Sequence, residues 1–137
     1  MQVVILDLGK DSYAIEALAV QEILRKPTVV TVPEAPPHVL GIIDFRGRSI
    51  PLIHLGRLLS LPVEGEGLRA IVLEENGHTA AFLVDDVSDV INIPEHAFDQ
   101  VPAAIDGMSS VPKAIARLKD RMVIVIDPVK LLLALRR

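Results

Sequence analysis

The sequence predicts a mostly-β protein made of two small lobes with a few short helices. Short runs rich in Val, Ile and Leu recur along the whole chain, and turn residues separate them at short intervals. The dipeptide Asn76-Gly77 lies between two such runs, which is the strongest short-range signal for a β-hairpin. The segment 63–67 is polar and rich in glycine, so we place the boundary between the lobes there.

The first half of the chain combines strands with two short helical segments. Apolar residues between Ile15 and Ile23 recur with helical spacing and predict at least a short helix that ends before Pro27. Three prolines within residues 33–37 predict an extended connector, because proline is excluded from helix interiors and central strands. The remaining predicted elements are strands at 2–8, 29–32, 39–45 and 49–55, the last two joined by a turn at Arg46-Gly47, and a short helix at 55–61.

The second half contains further strands and ends in a helix. The predicted strands are 69–75, 78–84, 87–93, 114–118 and 122–126, with an irregular excursion over 94–112. Asp127 followed by Pro128 is typical of an N-cap with proline at the first helical position, so a helix is expected to run through Leu135. Its many leucines suggest that it closes one lobe against the other. We expect the N-terminal strand and this helix to cross between the lobes.

Composition excludes several classes of protein. Leu, Val and Ile supply 49 of the 137 residues, which rules out intrinsic disorder and suits one domain. Only four residues are aromatic and the net charge is −4, so we expect no nucleic-acid partner. The absence of cysteine excludes disulfides and thiolate metal sites. No apolar run approaches the roughly 18 residues that span a bilayer, and the N-terminus lacks the basic region of a signal peptide, so we expect a cytoplasmic protein without direct membrane insertion.

The candidate catalytic motifs lack the context that their chemistry requires. The run from Gly65 to Ala70 matches G-x-G-x-x-A, but we expect a strand after it, where a dinucleotide site needs a helix. The S-x-x-K match from Ser110 to Lys113 contains a proline. No two histidines have the spacing of a local metal pair; they are His38, His54, His78 and His96. We therefore predict neither catalytic activity, nor a metal, nor a cofactor.

Four segments resemble the CheW-like chemotaxis coupling proteins. Residues 41–55, GIIDFRGRSIPLIHL, resemble the family signature, which runs roughly G-V-x-N-L-R-G-x-x-x-P-V-x-D-L. Residues 13–23 are similar to the family's first hairpin and following strand, and VDDVSDV at 84–90 resembles its V-D-x-V-x-D-V segment. Residues 120–132 resemble its closing strand and helix. The four segments follow the family's order and cover essentially the whole chain.

This resemblance implies a fold of two five-stranded β-barrel lobes packed over a shared apolar centre. It also implies a non-enzymatic cytoplasmic adaptor, monomeric when free, that links chemoreceptors to the CheA histidine kinase. The regulatory domain of the kinase resembles the adaptor and pairs with it barrel to barrel. The helical hairpin tip of the receptor docks in a groove between the lobes.

The resemblance also assigns site residues, each of which has a plainer structural explanation. The valines would equally serve as core residues, the arginine would equally hold its own turn, and the glycines would equally meet a backbone requirement. Residues matching the receptor-docking positions are Val20, Glu22, Arg46, Ala81, Val87 and Val90, and residues matching glycines needed for coupling, expected at the kinase contact, are Gly41 and Gly47.

The chain departs from the family pattern at several positions, which leaves the partner set open. Asp44 and Phe45 replace an asparagine and a leucine, and His54 replaces an aspartate. Gly56 stands where arginine is usual, and Ala114 where glycine is common. A coupling protein of a non-flagellar chemosensory array, such as one driving pilus-based motility, would look much the same, and so would an isolated domain of a CheV-type protein. The alternative from another class is a small-ligand-binding β-barrel.

Overall fold

Two antiparallel-rich sheets form the protein, as described by a computed structural model for residues 1–62, 65, 67–102 and 111–136. One sheet has six strands in the spatial order β8 (Asp86–Asn92), β1 (Gln2–Leu8), β2 (Asp11–Glu16), β11 (Met122–Ile126), β10 (Pro112–Arg117) and β9 (Phe98–Asp99). The other has five, in the order β3 (Val20–Arg25), β6 (Arg69–Glu75), β7 (His78–Val84), β5 (Arg48–His54) and β4 (Val39–Phe45). The helices are α1 (Leu55–Leu58), α2 (Pro128–Leu133) and the 3₁₀ turns Ala17–Ala19, Glu95–Ala97 and Ala134–Arg136. The predicted mostly-β, two-lobed fold is confirmed, with six strands in one lobe where five were expected.

The five-stranded sheet curls until its two edges meet. Val30, which follows β3, exchanges two backbone hydrogen bonds of 2.9 Å with Ile42 on β4, at the opposite edge of the sheet. The resulting barrel encloses one apolar cluster, which consists of Ile43, Phe45, Ile50, Leu52, Ala70, Val72, Ala81 and Leu83. The bridge at Val30 is therefore the closure of this lobe.

A central apolar cluster lies between the two lobes. Alternate residues of β1 divide between two clusters, because Val4 and Leu6 face the centre while Val3 and Ile5 face the interior of the six-stranded lobe. Strands β6 and β7 divide in the same way between the centre and the five-stranded barrel. These strands are buried on both faces, which explains why their sequences are almost continuously apolar. Leu131 and Leu132 of α2 complete the central cluster.

The lobe boundary predicted near residues 63–67 is wrong, because strands on either side of that segment share a sheet. Strand β3 pairs with β6, and β5 pairs with β7. The chain passes between the lobes at Ala17–Ala19 and again at Asp85. The N-terminal strand β1 pairs with β8 and so belongs with the later strands.

The predicted helix between Ile15 and Ile23 is also wrong. Only Ala17–Ala19 forms a single 3₁₀ turn, and Val20–Arg25 is strand β3, paired with β6. The long-range pairing outweighs a helical spacing that spans only two turns. The predicted strand 29–32 is reduced to the bridge at Val30. Part of the excursion at 94–112, with Ser110, lies outside the described residues.

The predicted hairpins and the C-terminal cap are confirmed. Arg46 and Gly47 have φ angles of 53° and 80°, and Asn76 and Gly77 have 52° and 79°, as two-residue type I′ turns require. The carboxylate of Asp127 accepts the backbone N–H of Val129 at 2.9 Å. Within the described ranges, no helix is long and apolar enough to cross a membrane.

Candidate functional site

Strand β3, at an edge of the five-stranded sheet, presents two apolar side chains toward the central cluster. Val20 pairs with Leu73 and Ile23 with Ile71, and both partners belong to the central cluster. Residues opposite each other in an antiparallel pair share a face of the sheet, so Val20 and Ile23 lie on the central face. Val20 packs against the cluster, whereas Ile23 is 40% exposed.

Strand β8, at an edge of the six-stranded sheet, presents two valines on the corresponding face. Val87 pairs with Leu6, and Val90 pairs with Val4. The register shifts between these pairs, so Ser88 has no opposite residue on β1, although its hydroxyl donates to the Asp7 carboxylate at 3.3 Å. This bulge brings two residues three positions apart onto one face, which a regular strand would not do. Val87 packs against the central cluster, and Val90 is 47% exposed.

Strands β3 and β8, the outer strands of the two sheets, thus flank the same buried cluster with aliphatic side chains. We call Val20, Ile23, Val87 and Val90 the inter-sheet surface. Leu18 lies on the 3₁₀ turn that leads into β3 and is 88% exposed, the largest exposure among the large apolar side chains described. Sequence reasoning missed Leu18 and Ile23 because it assigned their apolar spacing to the buried face of a helix.

Ala81 is not part of this surface. Its side chain is fully buried inside the five-stranded barrel, where β7 runs parallel to β5 and Ala81 pairs with Leu52. The resemblance placed it correctly on a second-half strand, but on the face that points into the barrel. Ala81 is therefore a core residue that cannot touch a partner directly.

Glu22 and Arg46 are brought together by the curl of the five-stranded sheet. The Arg46 guanidinium lies 2.5 Å from the Glu22 carboxylate and 4.8 Å from the centre of the Phe45 ring. Glu22 pairs with Val72, a barrel-interior residue, so it lies on the opposite face of β3 from Val20. The side chains are 62% and 39% exposed, and ion pairs this open contribute about 0–1 kcal/mol to stability. The pair joins opposite edges of the barrel and remains open to a partner.

The two candidate glycines have different structural reasons to be glycine. Gly41 is buried with φ +148°, and a Cβ there would overlap the carbonyl oxygen of Val30. Gly47 is exposed with φ +80°, and a Cβ there would have no heavy atom within 4 Å beyond its chain neighbours. Gly41 therefore permits closure of the barrel, whereas the structural requirement at Gly47 is the positive φ of its turn.

An exposed aliphatic row lies beside Gly41. Val30 is 69% exposed, and Ile42, directly opposite it, is 40% exposed. Val32, two residues after Val30, is 36% exposed. We call Val30, Val32 and Ile42 the β4 surface. It lies on the outside of the five-stranded barrel, whose interior faces are occupied by Ile43 and its neighbours.

The junction of the lobes holds His54, whose pKa is shifted by its surroundings. Burial and the nearby Arg57 lower the pKa of His54, and the negative charge of Asp85 opposes them. The Nδ1 atom of His54 accepts the backbone N–H of Arg57 at 3.1 Å and so caps α1. The G-x-G-x-x-A match is followed by strand β6, as expected, so it lacks the helix of a dinucleotide site.

Comparison with known proteins agrees with this architecture. A family model described as the CheW-like domain matches residues 2–136. The chemotaxis protein CheW of Helicobacter pylori is 31% identical over 87% of this chain and 73% of its own length. That of Bacillus subtilis is 28% identical, with 87% and 78% covered. A crystal structure of the scaffolding protein TtCheW from Thermoanaerobacter tengcongensis superposes with a TM-score of 0.85 at 29% identity, covering 92% of this chain and 88% of that one.

The family model and the solved structure each match nearly the whole chain, so the sequence and the fold point to the same family. The sequence relatives are chemotaxis proteins, and the solved neighbour is a scaffold. This chain therefore belongs to the CheW-like family and is a chemotaxis coupling adaptor.

Proposed function

We propose that this adaptor bridges a chemoreceptor and the CheA histidine kinase in the cytoplasm, without catalysing a reaction of its own. The observation that carries the proposal is a pair of exposed aliphatic surfaces on different elements of one small domain. A coupling protein needs two partner sites that can be occupied together, and clustered aliphatic exposure marks such sites.

The inter-sheet surface is the proposed receptor site. It offers Val90 and Ile23 as exposed contacts above a buried apolar cluster, and the exposed Leu18 lies on the 3₁₀ turn that leads into β3. The exposed Glu22–Arg46 pair lies on the other face of the same strand, so a partner that wraps around β3 would meet both. Arginine is enriched among interface hot spots. The proposed occupant is the helical hairpin tip of the receptor.

The β4 surface is the proposed kinase site. Val30 and Ile42 form an exposed aliphatic row on the outside of a closed barrel. Such a surface suits pairing with the similar barrel of the kinase regulatory domain by area and shape, so salt should weaken it little. Gly41 would act here indirectly, by keeping Val30 and Ile42 paired. The free protein is expected to be a monomer.

Two matched substitutions test the assignment by their opposite effects. Val90→Glu should weaken binding to a receptor hairpin fragment by about 30-fold or more, on the scale of a hot spot near 2 kcal/mol, and should spare binding to the kinase regulatory domain. Ile42→Glu should do the reverse. Both residues are partly exposed, so the thermal transition should persist in each variant. If each substitution weakens binding to both partners equally, or changes binding to neither partner, the proposal of two separate surfaces is wrong.

A small-ligand function has little support among the described residues. A depression of about 220 Å³ is lined by Leu8, Gly9, Lys10, Asp11, Leu61 and Pro62. Ligand pockets usually measure about 300–1,000 Å³ and are mostly apolar, whereas this one carries two charged side chains.

Whether the partners belong to a flagellar or a pilus-type array is decided by repeating the binding test with the kinase of each array.

A further inference from the structure

A single residue, Asp85, connects the two lobes at the second crossing. It follows β7 of the five-stranded sheet and precedes β8 of the six-stranded sheet. Its backbone N–H donates to the carbonyl of Asp7 on β1 at 3.0 Å. Its carbonyl accepts the N–H of Leu68, just before β6, at 3.2 Å. The crossing is therefore hydrogen-bonded to both lobes through its backbone alone.

The side chain of Asp85 adds a third attachment. Its Oδ2 atom accepts the backbone N–H of Gly9, in the turn between β1 and β2, at 2.6 Å. A charged acceptor makes this bond stronger than one between neutral groups. The carboxylate occupies the space that a Cβ of Gly65 would fill. It borders a cavity of about 10 Å³ that the five-stranded lobe lines with His54 and Gly56.

We propose that Asp85 is a positioning residue that fixes the orientation of the two lobes relative to each other. Strand β8 begins at the next residue, and Val87 follows two residues later, so the angle of this crossing sets where the β8 valines lie relative to β3. The orientation itself is a property of the free protein. Its consequence for receptor affinity rests on the proposed function.

Spin-label distances measure the orientation without any partner. The chain contains no cysteine, so Gln21→Cys on β3 and Asn92→Cys on β8, both at exposed positions, give one labelled pair with one label per lobe. Pulsed electron resonance should return a narrow distance distribution. Asp85→Ala should broaden or shift it, and Asp85→Asn, which keeps an acceptor for Gly9, should restore most of the narrow distribution.

The matched control is Asp89→Ala, which removes the same charge from β8. The Asp89 carboxylate accepts the N–H of Val90 on its own strand, so this variant should keep the wild-type distribution. Gly65→Ala is the second perturbation: it keeps Asp85 but displaces its carboxylate, and should broaden the distribution even if Asp85→Ala does not fold. The proposal is overturned if Asp85→Ala and Gly65→Ala both give the wild-type distribution, or if Asp89→Ala broadens it equally.

Receptor binding then tests the consequence. In Asp85→Ala, affinity for a receptor hairpin fragment should fall about tenfold if only about one molecule in ten keeps the lobe orientation that binds the receptor. Affinity for the kinase regulatory domain should not change. Altered distances with unchanged receptor affinity would place the failure in the proposed receptor site, and leave the positioning role intact.

Discussion

Replacing Gly41 with alanine should open the five-stranded barrel. The new Cβ would overlap the carbonyl oxygen of Val30 and lie 2.7 Å from a methyl group of Val29. A backbone carbonyl cannot rotate away as a side chain does, so the pair between Val30 and Ile42 must separate. That pair is the closure of the lobe.

The cost can be worked out from the contacts that are lost. Two backbone hydrogen bonds of 2.9 Å break, and each contributes about 1 kcal/mol net. The positive φ angle of Gly41 adds about 1–3 kcal/mol of backbone strain once a side chain is present. The expected loss is therefore about 3–5 kcal/mol, a large fraction of the roughly 5–15 kcal/mol that stabilises a native domain.

Urea unfolding followed by circular dichroism measures this loss. With a slope of about 2 kcal/mol per molar urea, the midpoint should fall by about 2 M. Gly47→Ala is the matched control, because Gly47 also has a positive φ but a Cβ there meets nothing within 4 Å. It should cost only about 1–2 kcal/mol. If Gly41→Ala lowers the urea midpoint no more than Gly47→Ala does, the backbone pair between Val30 and Ile42 does not depend on a glycine at position 41.

Arg46→Ala should lower the free energy of unfolding by at most about 1 kcal/mol, because its ion pair with Glu22 is exposed. It should weaken binding to a receptor hairpin fragment roughly 30-fold. A stability loss of several kcal/mol with normal receptor binding would show that Arg46 only stabilises the fold. Leu18→Ser should change the free energy of unfolding by no more than about 0.5 kcal/mol, since the side chain is 88% exposed, yet it should weaken receptor binding measured by calorimetry. Unchanged receptor affinity would exclude Leu18 from the site. Burial and Arg57 lower the pKa of His54, so the unfolded chain takes up its proton first as pH falls. Stability is therefore full above the ordinary pKa of 6.5 and declines as pH falls through the lowered folded value. The non-titrating cap His54→Asn should decline less over the same range; parallel profiles would contradict this assignment.

Local features were predictable from the sequence because short segments determine them. The turns at Arg46-Gly47 and Asn76-Gly77 need two residues of positive φ, and the cap at Asp127 needs one side-chain acceptor. The assignment of strands to lobes was not predictable. Strands β6 and β7 are apolar on both faces, so their residue pattern does not indicate which of the two sheets they join. The glycine-rich segment before them was therefore mistaken for a boundary.

The site was predictable only in part, for a similar reason. The resemblance located the right strands, but the face of each strand depends on register. The bulge at Ser88 places Val87 and Val90 on one face against the ordinary alternation, and Ala81 falls on the inner face of β7. The ion pair between Glu22 and Arg46 forms across a curled sheet, between residues 24 positions apart.

The autophosphorylation rate of CheA in receptor-containing membranes tests the bridging role most directly, when it is measured with and without this protein and with all components from the same organism. Receptors should control the kinase only when the protein is present. Val90→Glu and Ile42→Glu should each abolish that control while remaining folded. Receptor control of equal strength in the absence of the protein would contradict the proposal that it bridges the two.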